Sequence, residues 1–299
     1  MKNSKIAIII STYSQDKLLE KNIESIVNNT LKIDPKICLI DDASDNRIGE
    51  KIKNKFPFVE VSTNKQNFGF SKSYNLGIMG ARKKYNPDWF LIYNDDCEFV
   101  GKGFLDKFLD KVKKFPKVGI FGCKLIYPEG SIQWGIKKSK PYFFEKKGTL
   151  EKLKEFSKDS NSKEVIGAFM LIKKEVFEKI GLFDEKFSPF YGEESDLCLR
   201  ALKAGWDIKY FGNFEIVHHR NKSISKLSEK KVWFIKKRNS IRLEFKHYPL
   251  WKIFYYGFIH FGSVFKKNNF PFTKKINLLT EAYLFNFKEF FKIKQKKIL

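Results

Sequence analysis

The sequence predicts an α/β fold, with a mainly parallel sheet flanked by helices and a basic helical extension at the carboxyl end. Short apolar runs, such as Ile6–Ile10 and Ile37–Ile40, alternate with helical patterns over the first 125 residues. Runs that are apolar without alternation are typical of strands covered on both faces. Repeated strand–helix units of this kind favour parallel pairing. The extension is predicted by a shift to basic and aromatic residues after position 219.

The spacing of apolar residues predicts each element in turn. Strands are predicted at residues 6–10, 37–40, 59–61, 89–93, 118–121, 165–172 and 207–217. Helices are predicted near 18–27, 48–56, 74–81, 104–112, 174–180, 193–204, 233–247, 250–265 and 276–291. We expect a sheet domain at 1–219, with halves at about 1–125 and 126–219, and a basic tail at 220–299. Residues 127–163 are polar and lack a period, so we expect an inserted loop there that covers the substrate.

The charge balance predicts an anionic partner. Lys and Arg number 58 against 34 Asp and Glu, and residues 220–299 hold 20 of the cations but only 4 of the acids. Phosphate-bearing substrates, nucleic acid and acidic membrane faces all fit such an excess. Only six of the cations are Arg, so no specific nucleic-acid recognition is expected. A Lys-rich solvated surface is the simpler explanation of the bulk charge.

The tail pattern is typical of a protein that lies on a membrane without crossing it. Trp233–His247 predicts a basic amphipathic helix, and aromatic residues with Lys recur over 250–265 and 276–291. A helical cap packed on the sheet domain is the alternative interpretation. Both interpretations fit residues 233–247 equally well, whereas membrane contact is favoured after Leu250. No run reaches about 18 uncharged apolar residues, as a spanning helix requires.

The remaining composition points to the cytoplasm. The four Cys form no Cys-x-x-Cys pair, which excludes a disulfide framework or zinc site and suits a reducing compartment. Ile6–Ile10 is too short for a secretory leader. We therefore expect a cytoplasmic protein, peripheral on the inner face of an anionic membrane, with its oligomeric state open.

Polar or acidic residues follow three predicted strands: Ser11-Thr12, Asp41-Asp42 and Asp95-Asp96. Ligand sites of open α/β sheets form at this carboxyl edge. The adjacent carboxylates of Asp95 and Asp96 repel each other, so a hard divalent cation shared with diphosphate oxygens would stabilise them. Taken alone, two adjacent Asp residues are also common in solvent-exposed turns that bind nothing. Asp41-Asp42 predicts either contact with a nucleobase or ribose, or a helix N-cap supplied by Asp42 or Ser44.

Three further motifs carry polar groups. Asn67-Phe-Gly69 opens a helix whose backbone N–H groups favour phosphate or polar ligands, although neither a P-loop nor a Gly-x-Gly-x-x-Gly fingerprint is present. Glu193 and Glu194 begin another helix and are candidates for a general base, with the helix dipole as the structural explanation. His218-His219 ends a strand, where one imidazole could complete a metal site with the Asp95-Asp96 turn.

The order of these segments resembles the family 2 inverting glycosyltransferases, in the rhamnosyltransferase-like branch with the Rossmann-like GT-A fold. The likeness covers roughly residues 5 to 245 and rests on several ordered motifs. The matching segments are Ile8-Ile-Ile-Ser-Thr-Tyr13, Leu39-Ile-Asp-Asp-Ala-Ser44, Asn67-x-Gly69 through Asn75, Asn94-Asp-Asp96, Gly167–Leu171, Gly181–Glu185, Tyr191–Leu197, His218 and Arg238-Asn239.

The resemblance implies transfer of a sugar from a nucleoside diphosphate-sugar to a glycan or lipid-linked acceptor in cell-surface polysaccharide synthesis. It implies that Asp96 and His218, with Asp95, hold Mg²⁺ or Mn²⁺ in a DXD-like site. It also implies a base at Glu194, although the family's Glu-Asp is Glu193-Glu194 here, so the two remain alternatives, as do His218 and His219. The implied nucleotide-sugar pocket is lined by Thr12, Tyr13, Asp41, Asp42, Asn67, Gly69, Asn75 and Asp95.

Two other functions remain open at this stage. A sugar-nucleotide nucleotidyltransferase would use a similar scaffold but should carry a Gly-rich basic loop after the first strand, which Ser11–Gln15 lacks. A polybasic binder of membranes or nucleic acid with a degenerate catalytic domain would need no functional acid cluster.

Overall fold

The computed structural model describes residues 5–134, 156–219, 227–266 and 270–295. The chain forms two compact units, one made of Met1–Ser188 with Glu194–Arg220 and the other of Pro189–Glu193 with Asn221–Leu299. We call them the sheet unit and the helical unit. The loop predicted over 127–163 lies mostly outside the described residues. No helix among the described residues combines the length and apolarity needed to span a bilayer.

The sheet unit contains one mixed sheet with helices on both faces. Its described strands are β1 (Ile6–Thr12), β2 (Lys36–Asp41), β3 (Glu60–Thr63), β4 (Trp89–Asn94), β5 (Cys97–Phe99), β6 (Val118–Ile126), β7 (Ile132–Trp134), β8 (Ser160–Asn161), β9 (Phe169–Lys173) and β10 (Asp207–His218). The described helices are α1 (Asp16–Asn28), α2 (Ile48–Lys55), α3 (Phe70–Tyr85), α4 (Phe104–Val112), α5 (Lys174–Ile180) and α6 (Glu193–Lys203), of which Glu193 belongs to the helical unit. The main strand order is β3-β2-β1-β4-β9-β6-β10-β5.

The continuous apolar runs of the sequence follow from burial on both faces of this sheet. In β1, Ile8 and Ile10 join one core cluster while Ala7 and Ile9 join the other. Successive side chains of a strand point to opposite faces, so a strand covered by helices on both sides has no polar face to expose. Burying each such Ile contributes roughly 1.5–3 kcal/mol.

The prediction of parallel pairing holds for one half of the sheet and for the β6–β10 pair in the other. The pairs β1–β2, β2–β3 and β1–β4 are parallel, whereas β9 runs antiparallel to both β4 and β6. A parallel crossover needs a helix between the strands, and the long excursion before β9 frees that strand to enter in the opposite direction. The short strands β5, β7 and β8 were not predicted, because two or three residues carry no readable period.

The helical unit contains α7 (Glu229–His247), α8 (Leu250–Gly262) and α9 (Phe272–Gln295). Its small apolar cluster joins Ile241 of α7 and Val264 to Leu279 and Ala282 of α9. The four successive residues 241–244 of α7 are all buried, so α7 is covered on more than one side. A basic amphipathic helix with one apolar face would not show this pattern, and α7 is instead a packed helix of its unit.

Candidate active site

The sheet brings the predicted polar residues to one edge. The carboxyl ends of β1, β2 and β4 lie side by side, with Thr12 opposite Asp41 in the parallel register and Ser11 opposite Asn94. Because β9 is antiparallel, its amino end meets this edge, where Tyr93 pairs with Phe169. β10 is parallel to β6, so His218 at the end of β10 also reaches this edge.

The Asp95-Asp96 turn is held at both ends by one buried amide. Nδ2 of Asn22, on α1, donates to the carbonyl oxygens of Asn94 at 2.8 Å and Cys97 at 2.7 Å. Thr12 Oγ1 donates to Asp95 Oδ2 at 2.6 Å. Burial, and secondarily the negative charge of Asp96, raises the pKa of Asp95 above its usual range. The backbone of this turn and the Asp95 carboxylate are therefore held in place.

His218 lies directly beside Asp96. Its Nε2 is 3.2 Å from Asp96 Oδ1, and both side chains are largely buried. The short strand β5 explains this contact, since β5 pairs antiparallel with β10 and sets Cys97 opposite His218. His219, in contrast, is paired through Nε2 with Glu98 at 2.6 Å. The two histidines that the sequence left as alternatives thus have different partners: His218 lies beside Asp96, and His219 is paired with Glu98.

Gln133 of β7 defines which nitrogen of His218 carries the proton. Its Oε1 contacts Nδ1 of His218, and its Nε2 donates to the His218 carbonyl oxygen at 3.3 Å. An amide oxygen only accepts, so Nδ1 must be the donor. In a neutral ring the lone pair of Nε2 then faces the Asp96 carboxylate. Two acceptors at this distance require a cation or a proton between them.

A divalent metal ion fits this arrangement. Two neighbouring ligands of an octahedral Mg²⁺ or Mn²⁺ with bonds of about 2.1 Å stand about 3 Å apart, close to the Asp96–His218 separation. The Cys97 Sγ lies in the same cluster, whose ligand atoms fall within 4.8 Å of one another. Burial raises the pKa of the Cys97 thiol, and Sγ donates to Ala168 O at 3.6 Å. A protonated thiol does not suit a hard cation, so Asp96 and His218 are the fitting ligands.

Asp41 and Asp42 are buried and organise backbone. Asp41 accepts from the N–H groups of Ser44 at 2.9 Å and Gly49 at 3.1 Å, the latter in the first turn of α2. The N-cap residue of α2 is Arg47, whose side chain makes no capping bond, so the predicted N-cap at Asp42 or Ser44 is wrong. The carboxylate of Asp41 accepts from the first turn of the helix instead. Asp42 accepts from the N–H groups of Phe68 at 2.9 Å and Gly69 at 2.8 Å. The predicted pocket is shaped by loops that these two carboxylates hold.

The remaining predicted pocket residues fall into two groups. Tyr13 and Asn67 are exposed, and Gly69 has a φ of 76° that favours glycine at the start of α3. Asn75 is buried, and its amide is engaged with Phe183 through both N and O at 3.0 Å, and with Glu185 at 3.1 Å. Asn75 thus clamps α3 to the Phe183–Glu185 segment, and its contact with a nucleotide stays a prediction.

The two candidate bases differ in exposure. Glu193 is buried, whereas Glu194 keeps a partly exposed side chain at the start of α6. The next residue, Ser195, donates through Oγ to the buried Glu164. The segment from Glu164 to Ala168 also reaches the Asp95-Asp96 turn, since Ala168 O accepts from Asn94 N at 3.2 Å. Four residue steps span at most about 14 Å, so the start of α6 lies near the Asp95-Asp96 turn.

A turn leads into α6 from the helical unit. Its backbone has positive φ at Tyr191 (77°) and Gly192 (98°). Within the helical unit, Nδ2 of Asn239 donates to the carbonyl oxygens of Phe190 at 2.9 Å and Tyr191 at 2.8 Å. Asn239, noted in the sequence only as part of a resemblance, therefore holds the turn that precedes the candidate bases.

Sequence reasoning missed four polar residues of this region: Asn22, Glu98, Gln133 and Glu164. Asn22 sits at a helical position between apolar residues, and a polar residue on a buried face was the available signal. Gln133 and Glu164 lie in or beside the segment taken for a loop, where no periodic pattern singled them out. Glu98 belongs to β5, a strand too short to predict.

Comparison with known proteins agrees with the fold. Residues 7–181 match the model of glycosyl transferase family 2, and residues 149–222 match that of the N-terminal domain of galactosyltransferase. The chain therefore belongs to glycosyl transferase family 2, in its rhamnosyltransferase-like branch, and it is a glycosyltransferase with the GT-A fold.

Two curated relatives act on lipid-linked glycans by their names. One is the N-acetylglucosaminyl-diphospho-decaprenol L-rhamnosyltransferase of Mycobacterium tuberculosis, 25% identical over 236 residues, which is 72% of this chain and 76% of the relative. Another is the GalNAc(5)-diNAcBac-PP-undecaprenol beta-1,3-glucosyltransferase of Campylobacter jejuni, 28% identical over 67% of this chain and 60% of the relative.

Solved structures share the fold at low identity. GalNAc-T7 with UDP, GalNAc and Mn²⁺ superposes with a TM-score of 0.64 at 16% identity, over 97% of this chain and 56% of that one. The mannosyltransferase PcManGT from Pyrobaculum calidifontis, in complex with GDP-Man and Mn²⁺, gives a TM-score of 0.54 at 14% identity, over 95% and 70% of the two chains.

Proposed function

We propose that the protein is a divalent-metal-dependent inverting glycosyltransferase. It would move a sugar from a nucleoside diphosphate-sugar to a hydroxyl of a lipid-linked glycan, in the synthesis of a cell-surface polysaccharide. The observation that carries the proposal is the Asp96–His218 pair, in which His218 Nε2 lies 3.2 Å from Asp96 Oδ1 on the carboxyl edge of the sheet. The names of the two lipid-acting relatives support the acceptor class.

Asp96 and His218 are the residues that would hold Mg²⁺ or Mn²⁺, with Asp95 alongside. A metal bound there neutralises the charge that develops on a nucleoside diphosphate as it leaves. Thr12 fixes Asp95, and Gln133 fixes the ring of His218, so the Asp95 carboxylate and the His218 imidazole are oriented before the donor arrives. Such orientation removes a reorganisation cost from the reaction.

Asp41, Asp42 and Gly69 shape the proposed nucleoside pocket, because the two carboxylates hold the loops that follow β2 and precede α3. Thr12, Tyr13 and Asn67 would complete its lining, and Asn75 would support it through the Phe183–Glu185 segment. A nucleoside bound there would place its diphosphate towards the Asp95-Asp96 turn, since Thr12 joins β1 to that turn.

Glu194 is the proposed general base, with Glu193 as the alternative. A carboxylate on the face of the sugar away from the diphosphate removes the proton of the acceptor hydroxyl as its oxygen attacks the anomeric carbon. The bond to the diphosphate breaks in the same displacement, and the anomeric centre is inverted. The partial exposure of Glu194 favours it, because a base must meet an acceptor that comes from solvent.

The test is a transfer assay on single variants of the full chain. Asp96→Asn and Glu194→Gln should each lower kcat by at least about 10²-fold, because each removes a group that acts in the transition state. Asp110→Asn is the matched control, since Asp110 is an exposed carboxylate paired with Lys113. If Glu193 is the base instead, kcat should fall in Glu193→Gln and not in Glu194→Gln. Transfer that survives both Asp96→Asn and Glu194→Gln would refute the mechanism.

A nucleotidyltransferase is the second candidate that the same fold allows. The turn after β1 is short and carries no basic Gly-rich loop, and Ser14 N donates there to Ser44 Oγ at 2.8 Å. Release of pyrophosphate from a nucleoside triphosphate and a sugar phosphate would favour this candidate over sugar transfer.

A further inference from the structure

Helix α8 of the helical unit exposes a broad apolar face. Six large side chains of this helix are between 48% and 78% exposed: Trp251, Phe254, Tyr255, Phe258, Ile259 and Phe261. At about 100° per residue they cover nearly half of the helix circumference, and none of them is charged. The opposite side of the helix is held by the protein, because His260 is buried there and its Nε2 is 3.0 Å from Glu244 of α7.

The area of this face is large for the free surface of a soluble protein. At about 150–250 Å² for a whole aromatic side chain, the five rings of the face together present roughly 500–800 Å². The largest apolar patch on a typical monomer is about 300–600 Å². The patch also continues past the helix, because ring contacts join Phe261 to Phe265 at 5.5 Å and Phe265 to Phe272 at 5.2 Å. A patch of this size indicates a partner.

The chain around this face carries positive charge only. Six Lys and no acid occur between Glu244 and Glu281, and Glu244 itself is buried. Nζ of Lys252 lies 5.2 Å from the centre of the Trp251 ring, which places a cation at the edge of the face. Lys266 is exposed and comes directly after the last turn of this region. A face with cations and without acids is complementary to an anionic surface.

The polar groups of the face favour a lipid bilayer over a protein partner. Protein interfaces carry about one hydrogen bond per 100–200 Å², whereas the six side chains offer only the indole N–H of Trp251 and the hydroxyl of Tyr255. Trp and Tyr are the residue types that concentrate at the boundary between a membrane and water. A second copy of the chain is disfavoured as the partner, because it would bring together two faces with cations in a protein of net charge +24.

We infer that α8 lies in the surface of an anionic bilayer, with Phe254 and Phe258 among the acyl chains and Lys252 at the lipid phosphates. The 13 residues of α8 span about 20 Å, too short for a hydrocarbon core of about 30 Å. The buried contact of His260 with α7 keeps one side of the helix on the protein, so the helix lies along the bilayer surface. Helices of this kind bury their apolar face by about 5–10 Å. The inference goes beyond the proposed function and does not depend on it.

The face can be changed without disturbing the core of the helical unit. Phe258 is 78% exposed, so Phe258→Glu removes apolar area and adds a negative charge at little cost to the fold. Phe58→Glu is the matched control, since Phe58 is 59% exposed and belongs to the sheet unit. Deleting residues 250–299 would not be a clean test, because that deletion removes Leu279 and Ala282 from the core of the helical unit.

The experiment measures sedimentation of the full chain with vesicles of phosphatidylcholine, with and without phosphatidylglycerol. We expect at least about tenfold tighter binding to the vesicles that contain phosphatidylglycerol, and a loss of this preference as salt is added. Phe258→Glu should weaken the binding by at least about tenfold, because it removes an apolar side chain from the bilayer. Lys252→Gln should weaken it by about fivefold, the effect of one Lys near an anionic surface. Phe58→Glu and Lys21→Gln, which change exposed residues of the sheet unit, should bind like the unchanged protein.

Fluorescence reports whether the face enters the bilayer. Lipids with brominated acyl chains quench a Trp that lies among those chains, and Trp251 is 67% exposed on the proposed face. We expect such vesicles to quench the unchanged protein. Trp251→Phe keeps an aromatic ring on the face, so it should retain vesicle binding and lose most of the quenching.

Three results would overturn the inference: no preference for the anionic vesicles, equal vesicle affinity in Phe258→Glu and Phe58→Glu, or full quenching in Trp251→Phe. A dimer in solution that Phe258→Glu dissociates and Phe58→Glu does not would also overturn it, because the face would then belong to an interface between copies. All of these measurements are made without sugar transfer. Failure of the proposed function would instead appear as absent transfer in the assay described above, so the two failures are distinguishable.

Discussion

The orientation of His218 depends on one glutamine. Gln133 accepts from Nδ1 and so leaves Nε2 to face Asp96, which makes it a positioning residue for the proposed metal ligand. Residues that hold ligating histidines in this way commonly contribute 10–100-fold to metal affinity. No local residue pattern indicates this role, because it arises from the pairing of β7 with β6.

Gln133→Leu should therefore weaken Mn²⁺ binding by about 10–100-fold, measured by titration with electron paramagnetic resonance. Leu keeps the volume and removes the acceptor, so the ring of His218 is free to take the other tautomer. Ser131→Ala is the matched control, since Ser131 lies in the same hairpin and bonds to Glu129. Equal Mn²⁺ affinities in both variants would show that Gln133 does not orient His218 for metal binding.

Asn239 offers a comparable test on the loop before α6. Asn239→Ala should lower kcat by about tenfold or more with little change in the KM for the donor, because small displacements of catalytic groups are costly. It removes two donors to the Phe190–Tyr191 turn. Asn286→Ala is the control, since Asn286 also donates to two backbone carbonyls of the helical unit, of Arg238 and Ala282, but not to the turn.

A general loss of stability would affect both asparagine variants alike, and the melting temperature reports it. If kcat falls to the same extent in Asn239→Ala and Asn286→Ala, the turn has no special part in catalysis.

At the scale of the helices, α7 and α8 are joined by a buried polar chain. Nζ of Lys237 is 3.3 Å from Nδ1 of His260, and Nε2 of His260 is 3.0 Å from Glu244. Burial lowers the pKa of Lys237 to about 8, against the raising effect of Glu244 and with a further lowering by Lys266. The aromatic ring of Trp233 is also near, at 5.7 Å from Nζ.

The lowered pKa of Lys237 makes the stability of the folded protein depend on pH in a definite direction. Between pH 8 and the ordinary Lys pKa near 10.4, the unfolded chain binds more protons at this position than the folded chain, so stability rises with pH across that window. Lys237→Met removes the effect. The quantity to compare is the melting temperature of the unchanged protein minus that of Lys237→Met. We expect this difference to increase by about 2–5 °C from pH 7.5 to pH 10.

The comparison uses the change of this difference with pH, because the packing altered by Lys237→Met contributes equally at every pH. Parallel melting curves of the two proteins over that range would contradict the assignment of Lys237.

At the scale of the whole molecule, the sequence predicted the elements that are long or continuously apolar. β1, β2, β4 and the helices around them were placed within a few residues, because burial on both faces of a sheet leaves a direct trace in the residue pattern. The acid pairs Asp41-Asp42 and Asp95-Asp96 were predicted at the sheet edge because each directly follows one of these strands. The antiparallel entry of β9 was not predictable, since strand direction depends on a connection whose residues carry no periodic signal.

The site was predictable at the level of residue types and less so at the level of contacts. Asp96 and His218 were named from their places at strand ends, but their pairing depends on β5, a strand of three residues. The distinction between His218 and His219 comes from Gln133 and Glu98, whose partners lie 85 and 121 residues away in the chain. Such long-range polar contacts leave no local pattern in a sequence.

In the proposed reaction, Asp96 and His218 bind a divalent cation together with the diphosphate of the donor. Calorimetry of a panel of nucleoside diphosphates, with Mn²⁺ or with EDTA, tests it most directly. We expect at least one nucleotide to bind the full chain tightly only with Mn²⁺, and Asp96→Asn and His218→Ala to lose this dependence while His219→Ala retains it. A nucleoside diphosphate that binds equally well in EDTA, or equally well to Asp96→Asn, would contradict the account.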